Sequence, residues 1–150
     1  MSGIVQSKPW TLTEFLECEN SQETKHEFLA GEIIAITGGT FAHARLIARL
    51  LTRLSNHLDQ TPCLALASDL KVQSAENILY PDVIVTCLPQ ENDDLICKHP
   101  KLIIEVLSGS TASRDRNKKR HVYQHIETLE QRRHRFQRRY TYFRSCQSVG

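Results

Sequence analysis

The run Lys101-Leu-Ile-Ile-Glu-Val-Leu107 sets a single carboxylate among aliphatic side chains. Side chains alternate faces along a strand, so Glu105 shares a face with Ile103 and Leu107, while Leu102, Ile104 and Val106 take the other. An ionised carboxylate buried without partners costs several kcal/mol, so a cation, a metal or a second polar group is expected beside it. Asp82, in Tyr80-Pro-Asp-Val-Ile-Val-Thr86, is the natural second group, because it stands where the chain enters another apolar strand from a loop. Two carboxylates converging at a strand mouth make an oxygen-ligand site for Mg²⁺ or Mn²⁺, which suits phosphodiester hydrolysis. The alternative is a strand-capping Asp and a salt-bridged Glu. Lys119 supplies a third part: an ammonium near the ion can orient water or neutralise charge developing on a phosphate. Its alternative is a surface ion pair with Asp115 four residues earlier.

The elements that must hold these residues are legible as patterns. Thr11-Leu-Thr-Glu14 has capping-box spacing and predicts a helix from Thr11 to about Glu19. His26 to Leu29 and Glu32 to Thr37 flank Ala30-Gly31, which predicts a hairpin with Glu27 opposite Ile34. After Gly38-Gly39 and a capping Thr40, apolar residues at Ile47, Leu50, Leu51, Leu54 and Leu58 predict the longest helix, from Thr40 to roughly Gln60. Arg45, Arg49 and Arg53 fall four apart on its other face. They are candidate phosphate contacts, or simply a solvated face. Strands are expected at Cys63 to Ala67, around Lys71-Val72, at Tyr80 to Thr86 and at Lys101 to Leu107, and a last helix from about Thr111 to Ile126. The unbroken apolar runs suit interior strands. The order predicts a mixed α/β domain: a central mixed sheet flanked by helices.

The chain has 150 residues, room for one domain with a sizeable core. No apolar run is long enough to span a bilayer, and the first residues lack the order of a secretory signal, so no membrane and a cytoplasmic location are expected. Five scattered cysteines without a CxxC pair predict reduced thiols rather than a disulfide framework or a zinc site. The net charge of +2 is unevenly spread. Residues 1–130 hold all 17 carboxylates against 13 Lys and Arg, a net of −4, whereas residues 131–150 hold six Arg and no acid.

Six segments follow one another in the order seen in a known family. They are His26-Glu-Phe-Leu-Ala-Gly-Glu-Ile33, the Gly-Gly-Thr entry with His43, Ser68-Asp69, Tyr80-Pro-Asp-Val83, Ile104-Glu-Val-Leu-Ser108, and Asp115-Arg with Lys119 and Tyr123. The chain, over roughly residues 8 to 129, resembles a bacterial family of restriction-type endonucleases, long carried as a domain of unknown function, within the PD-(D/E)XK nuclease superfamily. The resemblance implies a restriction-endonuclease-like core and Mg²⁺ (or Mn²⁺) held by Asp82 and Glu105. It also implies Lys119 as the catalytic lysine and Glu27 as an additional catalytic acid, with His43 and Asp69 as site-lining positions. DNA is the implied substrate, and a homodimer is expected because double-strand cleavage needs two sites. A catalytically inactive, nucleic-acid-binding copy of the same fold is the alternative. One departure stands out: the lysine of the superfamily pattern, two residues past the Glu, is Leu107 here.

After Leu129 the composition changes. Family members typically continue with a β-favouring run, but here Glu130 is followed by a basic stretch, residues 131–150, without Leu, Ile or acid. Residues 1–129 are therefore expected to form the domain and residues 130–150 an atypical basic tail, read as a frameshift or truncation, or as an arm that binds phosphates and stacks Phe136, Tyr140, Tyr142 and Phe143 on bases. Loss of a closing strand would leave an exposed sheet edge.

Overall fold

The computed structural model describes residues 8–36, 38–67, 69–106, 112–129, 131–132, 135–136 and 140–145, with side chains described for 8–36, 38–67, 69–106 and 117–129. Leu107, Ser68 and the segment 108–111 lie outside the described residues, as do the side chains of Asp115, Phe136, Tyr140, Tyr142 and Phe143.

Helix α1 (Leu12–Glu19) opens on the expected capping box: Thr11 Oγ1 accepts from the Glu14 amide, and Glu14 returns a carboxylate oxygen to the Thr11 amide. Its Phe15 stacks on Phe28, with ring centroids 5.1 Å apart. That contact docks α1 onto the hairpin of β1 (His26–Leu29) and β2 (Glu32–Ala35). The turn residues Ala30 and Gly31 both have positive φ, as a tight two-residue turn requires, and the pairing sets Glu27 opposite Ile34 as predicted. Helix α2 (Phe41–Leu58), capped by Thr40, lies on β3 (Leu64–Ala67) and β6 (Val83–Thr86) with its apolar stripe half-buried.

The remaining elements are β4 (Lys71–Ser74), β5 (Asn77–Leu79), β7 (Ile96–Cys97), β8 (Pro100–Glu105), α3 (Ala112–Tyr123), β9 (Gln131–Arg132), β10 (Arg135–Phe136) and β11 (Tyr140–Ser145). The mixed α/β class is as expected, but the strands divide between two sheets, in the orders β2-β1-β5-β4-β7 and β10-β11-β8-β6-β3. The short β5 and β7 escape a sequence reading because three residues and two residues carry no periodicity of their own. β6 and β8 are the buried antiparallel pair at the heart of the second sheet. One core cluster gathers Leu29, Val72, Leu79, Ile84, Ile103, Tyr123 and Leu129 from both sheets and α3. The segment Tyr80-Pro81-Asp82 carries the chain from β5 in one sheet to β6 in the other.

Two expectations are corrected. Cys63 and Cys87 form a disulfide, whereas Cys18 and Cys97 are free. The 24-residue separation hides the fact that Leu64 pairs with Thr86, so the next residue out on each strand is a cysteine. The stretch after Leu129 also contains a strand, and it takes the edge of β8 that was expected to lie exposed: β11 pairs with Thr141 opposite Glu105 and Phe143 opposite Ile103. Tyr-Thr-Tyr-Phe is β-favouring despite its basic neighbours. No helix among the described residues is long and apolar enough to cross a membrane.

Candidate active site

The β6–β8 register explains why two acids 23 residues apart in sequence meet. Val83 pairs with Ile104, so Asp82, the residue just before β6, stands at the end of β8 that bears Glu105. Glu105 is only 7% exposed at the end of β8. Asp82 Oδ2 accepts the Val106 amide at 2.6 Å and lies 3.4 Å from His43 Nε2. His43 reaches it from the first turn of α2, past Gly39. A Cβ on Gly39 would stand 2.7 Å from His43 Nδ1, so the close approach needs glycine.

Lys119 of α3 spans the gap between the sheets. Its Nζ lies 2.9 Å from Glu27 Oε1 in β1 and 3.6 Å from Glu105 Oε1 in β8. The lysine that stands near Glu105 thus comes from the following helix. Glu27 Oε1 also accepts the Tyr80 amide at 3.0 Å, which ties the inter-sheet crossover to the same carboxylate. Tyr123, one helical turn past Lys119, donates its hydroxyl to Glu105 Oε1 at 2.6 Å. The structure therefore brings together Glu27, His43, Asp82, Glu105 and Lys119 from five separate elements or loops.

Asp69 is not brought in. It is 91% exposed and ion-paired with Lys25, in the turn before β4. There it belongs to a different polar set, in which Glu19 accepts from the Tyr80 hydroxyl and the His26 amide, and Lys71 lies over the Tyr80 ring. Arg45, Arg49 and Arg53 are exposed along α2, with the Arg45 guanidinium 6.0 Å from the Phe41 ring centre. Tyr123 and the Val106 amide were missed as site groups. Tyr123 stands with Lys119 in the last of the six segments that carry the family resemblance, and its i+4 spacing from Lys119 puts both on one side of the helix.

The electrostatics follow from burial. Desolvation pushes the Glu105 carboxyl up to about 7; the Lys119 ammonium and the Tyr123 hydroxyl pull it down, and Asp82 and Glu27 push it up. Burial alone would depress the Lys119 ammonium, but Glu105, Glu27 and Asp82 outweigh it and its pKa is raised. Lys119 therefore stays a cation at neutral pH. The Tyr123 hydroxyl is raised well above its ordinary value, chiefly by burial and then by Glu105.

Three acids thus share one lysine, and this donor set fits a divalent cation. Among the described residues, Asp82 Oδ1 and Glu105 Oε2 accept no hydrogen bond, whereas the second oxygen of each is held by a protein donor. No group of three His, Cys, Asp or Glu side chains among the described residues is arranged to hold an ion unaided. Two carboxylates with the remaining positions left to water and phosphate is the usual protein share at a Mg²⁺ site.

The chain matches the family model Uma2, described as "putative restriction endonuclease", over residues 12–132. It is 40% identical over 120 residues to the uncharacterized protein slr1290 of Synechocystis sp., covering 78% of this chain and 63% of that protein. It is 32% identical over 136 residues to sll1609 of the same organism, covering 87% and 77%. The chain thus spans less than two thirds of the length of slr1290. A crystal structure from Anabaena variabilis, described as a "putative nuclease belonging to DUF820", superposes with a TM-score of 0.59 at 24% identity, covering 73% of this chain and 65% of that one; it supports the fold. With a family model spanning most of its length and relatives at this level of identity, the chain belongs to the Uma2 family of restriction-endonuclease-like proteins.

Proposed function

We propose that this protein is a Mg²⁺-dependent (or Mn²⁺-dependent) DNA endonuclease that hydrolyses phosphodiester bonds. The observation that carries the reading is the meeting of Asp82, Glu105 and Lys119 at the junction of the two sheets. Asp82 and Glu105 would hold the ion, each having one carboxylate oxygen not committed to a protein donor among the described residues. When bound, the ion polarises a phosphoryl oxygen and acidifies water. Lys119 keeps its proton and presents a fixed positive charge to the scissile phosphate. Glu27 aims that ammonium through Oε1, which is shared between Lys119 and the Tyr80 amide. His43 and the Val106 amide steady Asp82. Arg45, Arg49 and Arg53 offer a phosphate-binding stripe on α2. Two copies of the chain acting together would cut both strands.

Supercoiled plasmid tests this. Purified protein nicks it in the presence of Mg²⁺ and stops when the metal is chelated, and Glu105→Ala lowers the rate at least about 100-fold. Retention of the plasmid without any nicking, unaltered by Glu105→Ala, would reject the enzyme in favour of a DNA-binding copy of the fold.

A further inference from the structure

We propose that Tyr123 is a positioning residue of the metal centre: its hydroxyl immobilises Glu105 Oε1 and so leaves Oε2 as the oxygen given to the ion. The inference rests on the metal-dependent reading above and extends it to a residue that neither the spacing of acids nor the lysine pattern identifies. Three observations support it.

The first is the contact itself, a 2.6 Å hydrogen bond from a hydroxyl to a carboxylate, in the range of short, charge-assisted bonds. The second is rigidity. Tyr123 is 2% exposed and belongs to the core cluster with Leu29, Val72, Leu79, Ile84 and Ile103. A ring held on all sides delivers its hydroxyl to one point, and its last rotatable bond moves only the proton. The third is the pairing with Lys119. Both side chains come from α3, one turn apart, and both address Oε1 of Glu105, at 2.6 Å and 3.6 Å. One helix thereby fills one side of the carboxylate.

Asp82 is treated the same way by a different device, since the Val106 amide takes its Oδ2. Each of the two acids therefore has one oxygen fixed by the protein and one oxygen that accepts no hydrogen bond among the described residues. A carboxylate already fixed loses less freedom when it takes up a metal than one that must first be ordered, and groups that orient a ligand in this way are typically worth 10–100-fold in metal affinity. The raised pKa of the hydroxyl keeps it a donor across the physiological range.

Titration of the full chain with MnCl₂, followed by calorimetry, tests the role without relying on activity. Tyr123→Phe removes the hydroxyl and keeps the ring. It is expected to weaken Mn²⁺ binding about 10- to 100-fold, in a metal-free protein that still folds cooperatively at a lowered melting temperature. In a Glu105→Gln background the same substitution is expected to cause no further loss, because the oxygen it orients no longer serves as a carboxylate ligand. Equal Mn²⁺ affinity in the wild type and Tyr123→Phe overturns the proposal, as does an equal loss in the Glu105→Gln background. No Mn²⁺ uptake by the wild type removes the metal reading itself, and the inference falls with it. Should Tyr123→Phe fail to fold, Mg²⁺ titration of wild-type protein bearing ¹³C-labelled tyrosine and carboxyl-¹³C-labelled glutamate gives the answer. A shift of the Tyr123 hydroxyl-bearing carbon supports the role; a Glu105 carboxyl that shifts while Tyr123 stays still overturns it.

Discussion

Glu105 carries a conflict that the proposed metal ion would resolve. Its carboxyl is raised from 4.5 to about 7, mainly because burial penalises the charged form. The folded state therefore binds this proton more tightly than the unfolded chain. In metal-free protein the contribution of Glu105 to stability is most favourable below about pH 4.5, and it falls as the pH rises through the window from 4.5 to 7, levelling off above. Glu105→Gln has no such proton to lose. Measured by urea denaturation without metal, the stability of Glu105→Gln relative to wild type should rise from pH 4.5 to pH 8 by up to roughly 3 kcal/mol. Adding Mg²⁺ at pH 8 should stabilise wild type and leave the variant unmoved. A relative stability independent of pH would mean that water reaches the carboxylate freely.

Helix α3 is the element on which the centre turns, because its side chains touch the acids of both sheets. Lys119 links Glu27 in β1 to Glu105 in β8, and Tyr123 adds a second contact to Glu105. Glu27 and Glu105 are both buried, so removing the cation leaves charge without a counterion, a loss much larger than that of a surface pair. Lys119→Met should cost roughly 3 kcal/mol in metal-free protein at pH 8. Glu27→Gln introduced alongside it should recover part of that loss, since one of the stranded charges is gone. Chemical denaturation of the two variants checks both signs; if the double variant is the less stable, the lysine is not a counterion to Glu27. The spacing of Lys119 and Tyr123 on one helical face was visible in the residues. Which sheets that face would meet was not, because a helix period says nothing about its neighbours.

At the level of the whole molecule, the two sheets are joined by Tyr80-Pro81-Asp82, and the second sheet is extended past β8 by β11. A chain ending at Leu129 loses that strand and bares the amide edge of the strand that bears Glu105. Unpaired edges recruit other chains. Such a shortened chain should elute from size exclusion as dimers or larger species at concentrations where the full chain does not, with light scattering as the measure. If it behaves like the full chain, β11 does not guard the edge. The disulfide from Cys63 to Cys87 closes the other side of this sheet, between β3 and β6.

Local chemistry was enough to mark the hairpin, the capped helices, the mixed class, and the acids Asp82 and Glu105, since a carboxylate in an apolar strand is an anomaly that short-range rules expose. The order of six segments then pointed to Lys119, Glu27 and His43. Pairing was decided by the folded chain. Strand pairing brought Asp82 to the end of β8 that bears Glu105 and Cys63 to Cys87, left Asp69 with Lys25, and put β11 beside β8. Those outcomes depend on which strands become neighbours, a choice made by burial summed over the whole molecule. No window of adjacent residues contains that sum.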